Sequence, residues 1–256
     1  MYSTMYRSVI RGAEEDVLHD ISFTAEPGKT TAFIGSTGCG KSTLVNLIPR
    51  FYDVTDGKIT IDGKDIRNVS QHELREKLGY VPQKAVLFSG DIASNILYGN
   101  PEGSEAEMTE AATIAQATEF IEQKKKKYKS TISQGGSNVS GGQKQRLSIA
   151  RAIAKHPDVY IFDDSFSALD YKTDATLRAK LKEKTSESTV MIVAQRISTI
   201  LHADQIIVLD DGQIVGKGTH KELLKTCEAY YQIASSQLSE KELEEDLKEV
   251  ESYAKR

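Results

Sequence analysis

Gly35-Ser36-Thr37-Gly38-Cys39-Gly40-Lys41-Ser42-Thr43 is the stretch from which the rest of the chain is read. Its spacing (glycine, four residues, glycine, lysine, hydroxyl residue) fits a loop that wraps a chain of phosphates. Glycines let the backbone turn tightly with its N–H groups facing inward, toward phosphate oxygens. Lys41 brings a point charge for the β- and γ-phosphates, and the Ser42 hydroxyl suits a Mg²⁺ ligand. The flanks agree with this reading. Thr31-Ala32-Phe33-Ile34 reads as a buried strand, and Lys41 to Phe51 as a helix. A helix N-terminus favours anions through its amides and its dipole.

Outward from the loop, the pattern is that of an α/β protein. Val17 to Ala25 alternates apolar and polar through Leu18, Ile21 and Phe23, as a half-buried strand does. Ser8-Val9-Ile10 reads as a strand remnant in a weakly patterned start. Lys58 to Ile61 alternates into Asp62-Gly63, a hairpin signal. Tyr80-Val81 closes a short strand before Pro82-Gln83. From Ile92 to Ala154 the texture turns helical. Glu105 to Glu122 keeps helical spacing through Ala111, Ile114, Ala115, Thr118 and Ile121, and Gln143 to Ala154 is a second helix, stopped before His156-Pro157. Strands return at 159–162, 189–193, 206–209 and 213–215, with helical patterns between the first three. The alternation predicts a phosphate-loop NTPase core, a mainly parallel sheet with helices on both faces. An antiparallel β subdomain and an inserted α-helical subdomain complete the expected fold.

The tail departs from this texture. Ser239 and Glu242 have capping-box spacing, with Leu238 and Leu243 placed as a staple. Leu243, Leu247 and Val250 continue a narrow apolar stripe on an acidic helix. It reads as a surface helix packed back on the domain, with a partner-binding segment as the alternative. Lys124 to Lys127 reads as a solvated loop or helix end.

The chain has 256 residues and a net charge of −4, which argues against a nucleic-acid partner. Cys39 and Cys227 are its only cysteines. Cys39 lies in the phosphate loop, outside any disulfide, so a reducing compartment is expected. No apolar run nears the roughly 20 residues needed to cross a bilayer, and no secretory signal is present. The chain reads as soluble, or as a piece of a membrane assembly.

Two more stretches carry chemistry. Val159-Tyr160-Ile161-Phe162 runs into Asp163-Asp164, an apolar strand ending in carboxylates. A hard divalent ion wants oxygen ligands, and Asp163 is the candidate for the Mg²⁺ sphere. Ser140-Gly141-Gly142-Gln143 opens a helix and can present N–H and O–H groups to a second phosphate chain.

Taken together, the chain resembles the nucleotide-binding domain of an ATP-binding cassette (ABC) transporter over about Val17 to Ala234. The phosphate loop, Tyr80-Val81-Pro82-Gln83 (similar to the family's Q-loop) and Ser140-Gly141-Gly142-Gln143-Lys144-Gln145-Arg146 (similar to its signature) stand in the family's order. The strand ending at Asp163 and Ser167-Ala168-Leu169-Asp170, the D-loop, complete the set. Ile48 to Tyr52 and Gly90 to Ile96 resemble the exporter branch. The resemblance implies a nucleotide-binding domain over 1–234, with its core at 1–83 and 157–234, a helical subdomain at 84–156 and an acidic tail at 235–256. It implies ATP and Mg²⁺ as cofactors, held by Gly35 to Thr43, Gln83, Asp163 and, in the paired subunit, Ser140 to Gln143. The metal would be met by Ser42, Gln83 and Asp163. It also implies a second nucleotide-binding domain paired head to tail, membrane-spanning domains supplied by a stretch outside this chain, and a place at the cytoplasmic face of the plasma membrane.

The departures from the family pattern sharpen the reading. The residue after the metal aspartate is usually Glu, which positions the attacking water; here it is Asp164. A misplacement of about 1 Å at such a site costs roughly a hundredfold in rate. The switch position, usually His, is Gln195 in Gln195-Arg196-Ile197-Ser198; Gln can bond a γ-phosphate but cannot carry a proton for it. Lys41, Asp164 and Gln195 are the expected catalytic groups of a slow site, while the signature is intact. This split predicts one half of a heterodimeric exporter. A homodimer with two slow sites, a soluble cassette ATPase and a regulatory module without turnover are the alternatives. The family's adenine-stacking Tyr falls at Ile10 by counting, with Tyr6 or Tyr2 as stand-ins, and the acid usual before the signature is Gln134.

Overall fold

The computed structural model describes residues 2–8 and 17–253, with side chains over 17–247. In chain order the strands are β1 (Tyr2–Ser8), β2 (Leu18–Ala25), β3 (Thr30–Gly35), β4 (Asp56–Ile61), β5 (Lys64–Asp65), β6 (Leu78–Val81), β7 (Gly90–Asp91), β8 (Thr131–Ile132), β9 (Val159–Asp163), β10 (Thr189–Val193), β11 (Gln205–Asp210) and β12 (Gln213–Gly218). The helices are α1 (Lys41–Leu47), α2 (Gln71–Glu76), α3 (Ile92–Ile96), α4 (Glu105–Ile114), α5 (Thr118–Glu122), α6 (Gly141–Ala154), α7 (Tyr171–Lys184), α8 (Ile197–Ile200), α9 (His220–Thr226), α10 (Glu228–Gln237) and α11 (Glu240–Tyr253). The chain divides into two compact units, Met1–Leu74 with Thr189–Arg256, and Arg75–Ser188.

The first unit holds mostly parallel strands beside an antiparallel sheet. β3 runs parallel to β10 on one side and to β11 on the other, and β12 joins β11 antiparallel. The antiparallel sheet has the order β2-β1-β4-β5. Val9 and Ile10 of the expected strand remnant lie outside the described residues; β1 runs to Ser8. Ile21, Phe23 and Ala25 of β2 are buried as alternation demands, and Leu18, three residues before Ile21, is also buried because the register shifts there, with Asp20 left-handed at φ 48°. Phe23 meets Phe33 of β3 edge to face, with ring centroids 5.3 Å apart. Thr31 to Ile34 of β3 are buried without a break, as in a strand flanked by parallel neighbours. Asp62 and Gly63 both take positive φ (52° and 76°), the backbone a two-residue hairpin between β4 and β5 requires.

Helix α1 is shorter than the sequence reading. Pro49 has no N–H to continue it, and Arg50 turns left-handed at φ 54°. The Phe51 N–H then bonds the Asn46 carbonyl (3.1 Å) and the Arg50 N–H bonds Leu47 (3.1 Å). This is a Schellman closure made without glycine.

The tail behaves as a surface helix of this unit. The Glu242 N–H donates to Ser239 Oγ, and the Ser239 N–H and hydroxyl donate to Glu242 at 2.9 and 2.6 Å. Leu243 is buried, and α11 packs on α9 and α10. His220, buried on α9, shares a hydrogen bond with Tyr230 Oη (2.7 Å) and another with Asp246 Oδ2 (3.1 Å), tying α9, α10 and α11 together. Val250 lies outside the residues whose side chains are described.

The second unit is built on β9 and β6, parallel with Val81 level with Phe162. Every residue of β9 is buried, and burial pushes the Tyr160 phenol up to about 12. The expected helix over Glu105 to Glu122 is two helices. Gln116 turns left-handed at φ 56°, and the Ala117 N–H reaches back to Ala112 O (2.8 Å). This closure again uses no glycine, so the sequence carries no sign of it. Lys124 to Lys127 lie just past α5, three of the four exposed. Cys39 and Cys227 are both free thiols.

Candidate functional site

In each unit the candidate residues lie where parallel strands end. In the first unit, β3 runs straight into the phosphate loop. Gly35 takes φ 154°, and a Cβ there would stand 2.0 Å from the Leu209 carbonyl oxygen and 2.8 Å from Cys39 Sγ. Only glycine fits. Gly40 takes φ 96°, and a Cβ on it would meet Leu18 Cδ2 at 2.7 Å. Ser36, Thr37 and Gly38 are exposed, so the lip of the loop faces solvent. Gly40 is the N-cap of α1 and brings no side-chain cap, which leaves the helix start to other partners.

Lys41 is 8% exposed and curls back into the loop. Its Nζ donates to Gly35 O (2.8 Å) and Ser36 O (2.7 Å), with Cys39 Sγ at 3.5 Å. Among the described residues no carboxylate pairs with this buried ammonium. Burying a cation against neutral carbonyls alone is costly, and the arrangement fits an anion that completes it.

On the neighbouring strand, Val193 is level with Phe33, and the Ala194 N–H donates to Phe33 O (3.0 Å). Gln195 therefore leaves β10 at the level where β3 enters the loop. It is exposed. The structure thus brings Lys41, its loop and Gln195 to one sheet edge.

In the second unit, β9 delivers Asp163 and Asp164, 4% and 6% exposed. Asp164 sits at φ 46°, a left-handed turn that Asp tolerates better than most residues. Gln83, just beyond β6, donates Nε2 to Asp164 Oδ2 at 3.0 Å. Tyr80 Oη donates to Asp163 Oδ2 at 3.4 Å; burial first, and the Asp163 charge second, push its phenol up. Ser165 Oγ ties the same turn to Val81 O at 2.9 Å. Gln83, Asp163 and Asp164 thus form one cluster.

Ser140 caps α6, its Oγ accepting from the Gln143 N–H (3.3 Å) while Gln143 Oε1 accepts from the Ser140 N–H (3.2 Å). Accepting leaves the Ser140 hydroxyl proton for a ligand. Ser140 and Gly141 are exposed, and nothing lies within 4 Å of a Cβ built on Gly141. A Cβ on Gly142 would stand 3.3 Å from Ala168 O of the D-loop.

The family model described as ABC transporter matches residues 18–167, more than half of the chain. The chain belongs to the ABC transporter family. An uncharacterized ABC transporter ATP-binding protein of Mycobacterium tuberculosis is 50% identical over 229 residues, 88% of this chain and 39% of that protein. A Staphylococcus aureus protein, provisionally named a multidrug export ATP-binding/permease protein, is 45% identical over 224 residues, again 88% of this chain and 39% of that protein. A bacterial Atm1-family ABC exporter solved with ATP bound matches with a TM-score of 0.89 and 37% identity, over 93% of this chain and 42% of that one. The chain spans about two fifths of the length of these relatives.

Sequence reasoning places Gln145 and Arg146 in the signature stretch without their partners, and gives Arg151 no role. Gln145, 2% exposed, donates Nε2 to Pro82 O (3.1 Å), next to Gln83. Arg146 donates to Gln116 O (2.9 Å), the carbonyl turned outward by the break after α4, and lies over the Phe120 ring. Arg151 reaches Asn95 O, Asn95 Oδ1 and Val86 O at 2.9–3.0 Å. Burial lowers both guanidinium pKa values. All three sit on α6, and polar side chains on its packed face were the available signal.

Proposed function

We propose that this chain is the ATP-binding motor domain of an ABC exporter, acting at the cytoplasmic face of the plasma membrane with membrane-spanning domains outside this chain. One observation carries the reading: a buried lysine ammonium that donates to Gly35 O and Ser36 O and has no carboxylate partner among the described residues, folded inside a loop that tolerates only glycine at Gly35. A nucleotide's terminal phosphates suit that loop. The names of the relatives, an ATP-bound exporter and a multidrug export protein, support the exporter branch.

In this reading Gly35 to Thr43 hold the phosphates and Lys41 neutralises the β- and γ-oxygens. Ser42, Gln83 and Asp163 meet Mg²⁺, which when bound offsets charge on those oxygens. Asp164 orients the attacking water from a short reach, and Gln195 donates to the γ-phosphate but has no proton to exchange at neutral pH. We further propose that this site is slow, and that Ser140 to Gln143 complete a competent site on a different ABC partner. A homodimer with two slow sites is the second reading, and the intact signature serves either assembly.

The test is Mg-ATP binding by the assembled transporter, with Lys41→Ala as the control. Removing the one charge inside the loop should cost about 3 kcal/mol of binding, more than a hundredfold in Kd. Undiminished binding would end the proposal. Reconstitution then separates the assemblies: a heterodimer hydrolyses ATP only with the unlike partner, a homodimer without it.

A further inference from the structure

Resting on the proposed role of Gln195 toward a γ-phosphate, we infer that Gln237 is the positioning residue that aims Gln195. The two are 42 positions apart, and the structure joins them. Gln237 ends α10 and uses both ends of its side-chain amide on the turn around the switch position. Its Nε2 donates to Gln195 O at 2.9 Å, and its Oε1 accepts from the Ile197 N–H at 2.8 Å. A donor and an acceptor are needed together, so the orientation of the amide is determined and neither Glu nor Met can replace it.

The local backbone needs this brace. Arg196 is the N-cap of α8 and contributes no side-chain cap. The first amide of α8 is capped from α10 instead. Upstream, the Ala194 N–H is fixed to Phe33 O on β3 (3.0 Å). The backbone on both sides of Gln195 is therefore anchored, to the strand that enters the phosphate loop and to α10. α10 is in turn seated by Tyr230 and Ala234, both fully buried. A side chain departing from a backbone held on both sides keeps its direction at little entropy cost.

A bond to the γ-phosphate distinguishes ATP from ADP, so that preference is what Gln237 would control. The experiment measures displacement of trinitrophenyl-ATP by ATP and by ADP from this chain's site in the assembled transporter. Gln237→Ala should lower the preference for ATP over ADP about threefold to tenfold, the loss of one ordinary hydrogen bond, with ADP affinity unchanged. Gln237→Glu keeps the acceptor for Ile197 and so preserves the start of α8, yet sets a carboxylate against the Gln195 carbonyl; it should lose at least as much. Gln195→Ala should match Gln237→Ala, and the double variant should lose no more than either single one. General loosening of the fold would weaken ATP and ADP alike, or add to Gln195→Ala, and either result overturns the inference. A wild-type protein that binds no ATP would overturn the functional reading along with it.

Discussion

Changing Asp164 to Glu, with Gln195→His alongside, puts the slow-site reading at risk. Asp164 is 6% exposed at the end of β9, with its carboxylate accepting from Gln83 at 3.0 Å. One added methylene carries the carboxylate about 1.5 Å farther. If a shortfall of about 1 Å costs a hundredfold, restoring the reach lowers the barrier by up to about 2.7 kcal/mol. Two local terms oppose the change. The backbone at Asp164 is left-handed, φ 46°, where Glu is less at ease, a cost of about 1 kcal/mol. The Gln83 bond must also re-form around a longer side chain, worth about 1 kcal/mol or less because Gln83 is exposed. The double variant should then hydrolyse ATP about 10 to 100 times faster while melting about 2–8 °C lower. Phosphate release is measured on the assembled transporter with the partner's own catalytic acid replaced, so that only this site contributes. An unchanged rate with ATP binding intact would refute the reasoning.

Three other expectations follow from the geometry. Gly35→Ala drives a methyl into the Leu209 carbonyl at 2.0 Å; it should cost about 3 kcal/mol in chemical denaturation and abolish binding of a fluorescent nucleotide. Asp246→Ala removes the partner of His220 Nε2 and should loosen α11 by about 1 kcal/mol, read as faster hydrogen exchange there with α10 unchanged. The helix-capping glutamates Glu73, Glu107, Glu222 and Glu242 all hold their carboxyls below the ordinary 4.5, through bonds from the Ser or Thr N–H and hydroxyl of each cap. Depressed carboxyls stabilise the fold above the unfolded value and lose that stabilisation as pH falls through the folded one. Helix starts should therefore fray below about pH 4.5, and Glu242→Gln should flatten that pH dependence for α11, followed by circular dichroism and exchange.

Most of the strand framework and the phosphate loop was legible because each depends on near neighbours. The alternation of Ile21, Phe23 and Ala25 reports one buried face, and the glycines at 35 and 40 report a backbone that admits no Cβ. The two helix ends that were misjudged share one cause. Arg50 and Gln116 close their helices in a left-handed turn that usually belongs to glycine or asparagine. Each accepts a cost of about 1–2 kcal/mol, which the surroundings offset. At Gln116 the offset is visible: its carbonyl accepts from Arg146, and its own side-chain amide donates to Thr113 O at 2.9 Å.

The contacts that escaped the sequence reading are made by polar side chains to backbone. Gln145 serves Pro82, Arg151 serves Val86 and Asn95, and Gln237 serves Gln195 and Ile197. A backbone carbonyl or amide has no side-chain signature, so no pattern at the receiving end announces the partner. A motif names the atoms that touch a ligand, but an amide that holds such an atom in place can come from any element the fold happens to bring near. That makes α10 a better place than the loop itself to look for changes that leave binding intact and alter discrimination. Substitutions in the phosphate loop remove the charge and the cradle together, whereas Gln237 holds the backbone carbonyl of Gln195, so on the proposed role of Gln195 its loss should be read in ATP preference long before it is read in affinity.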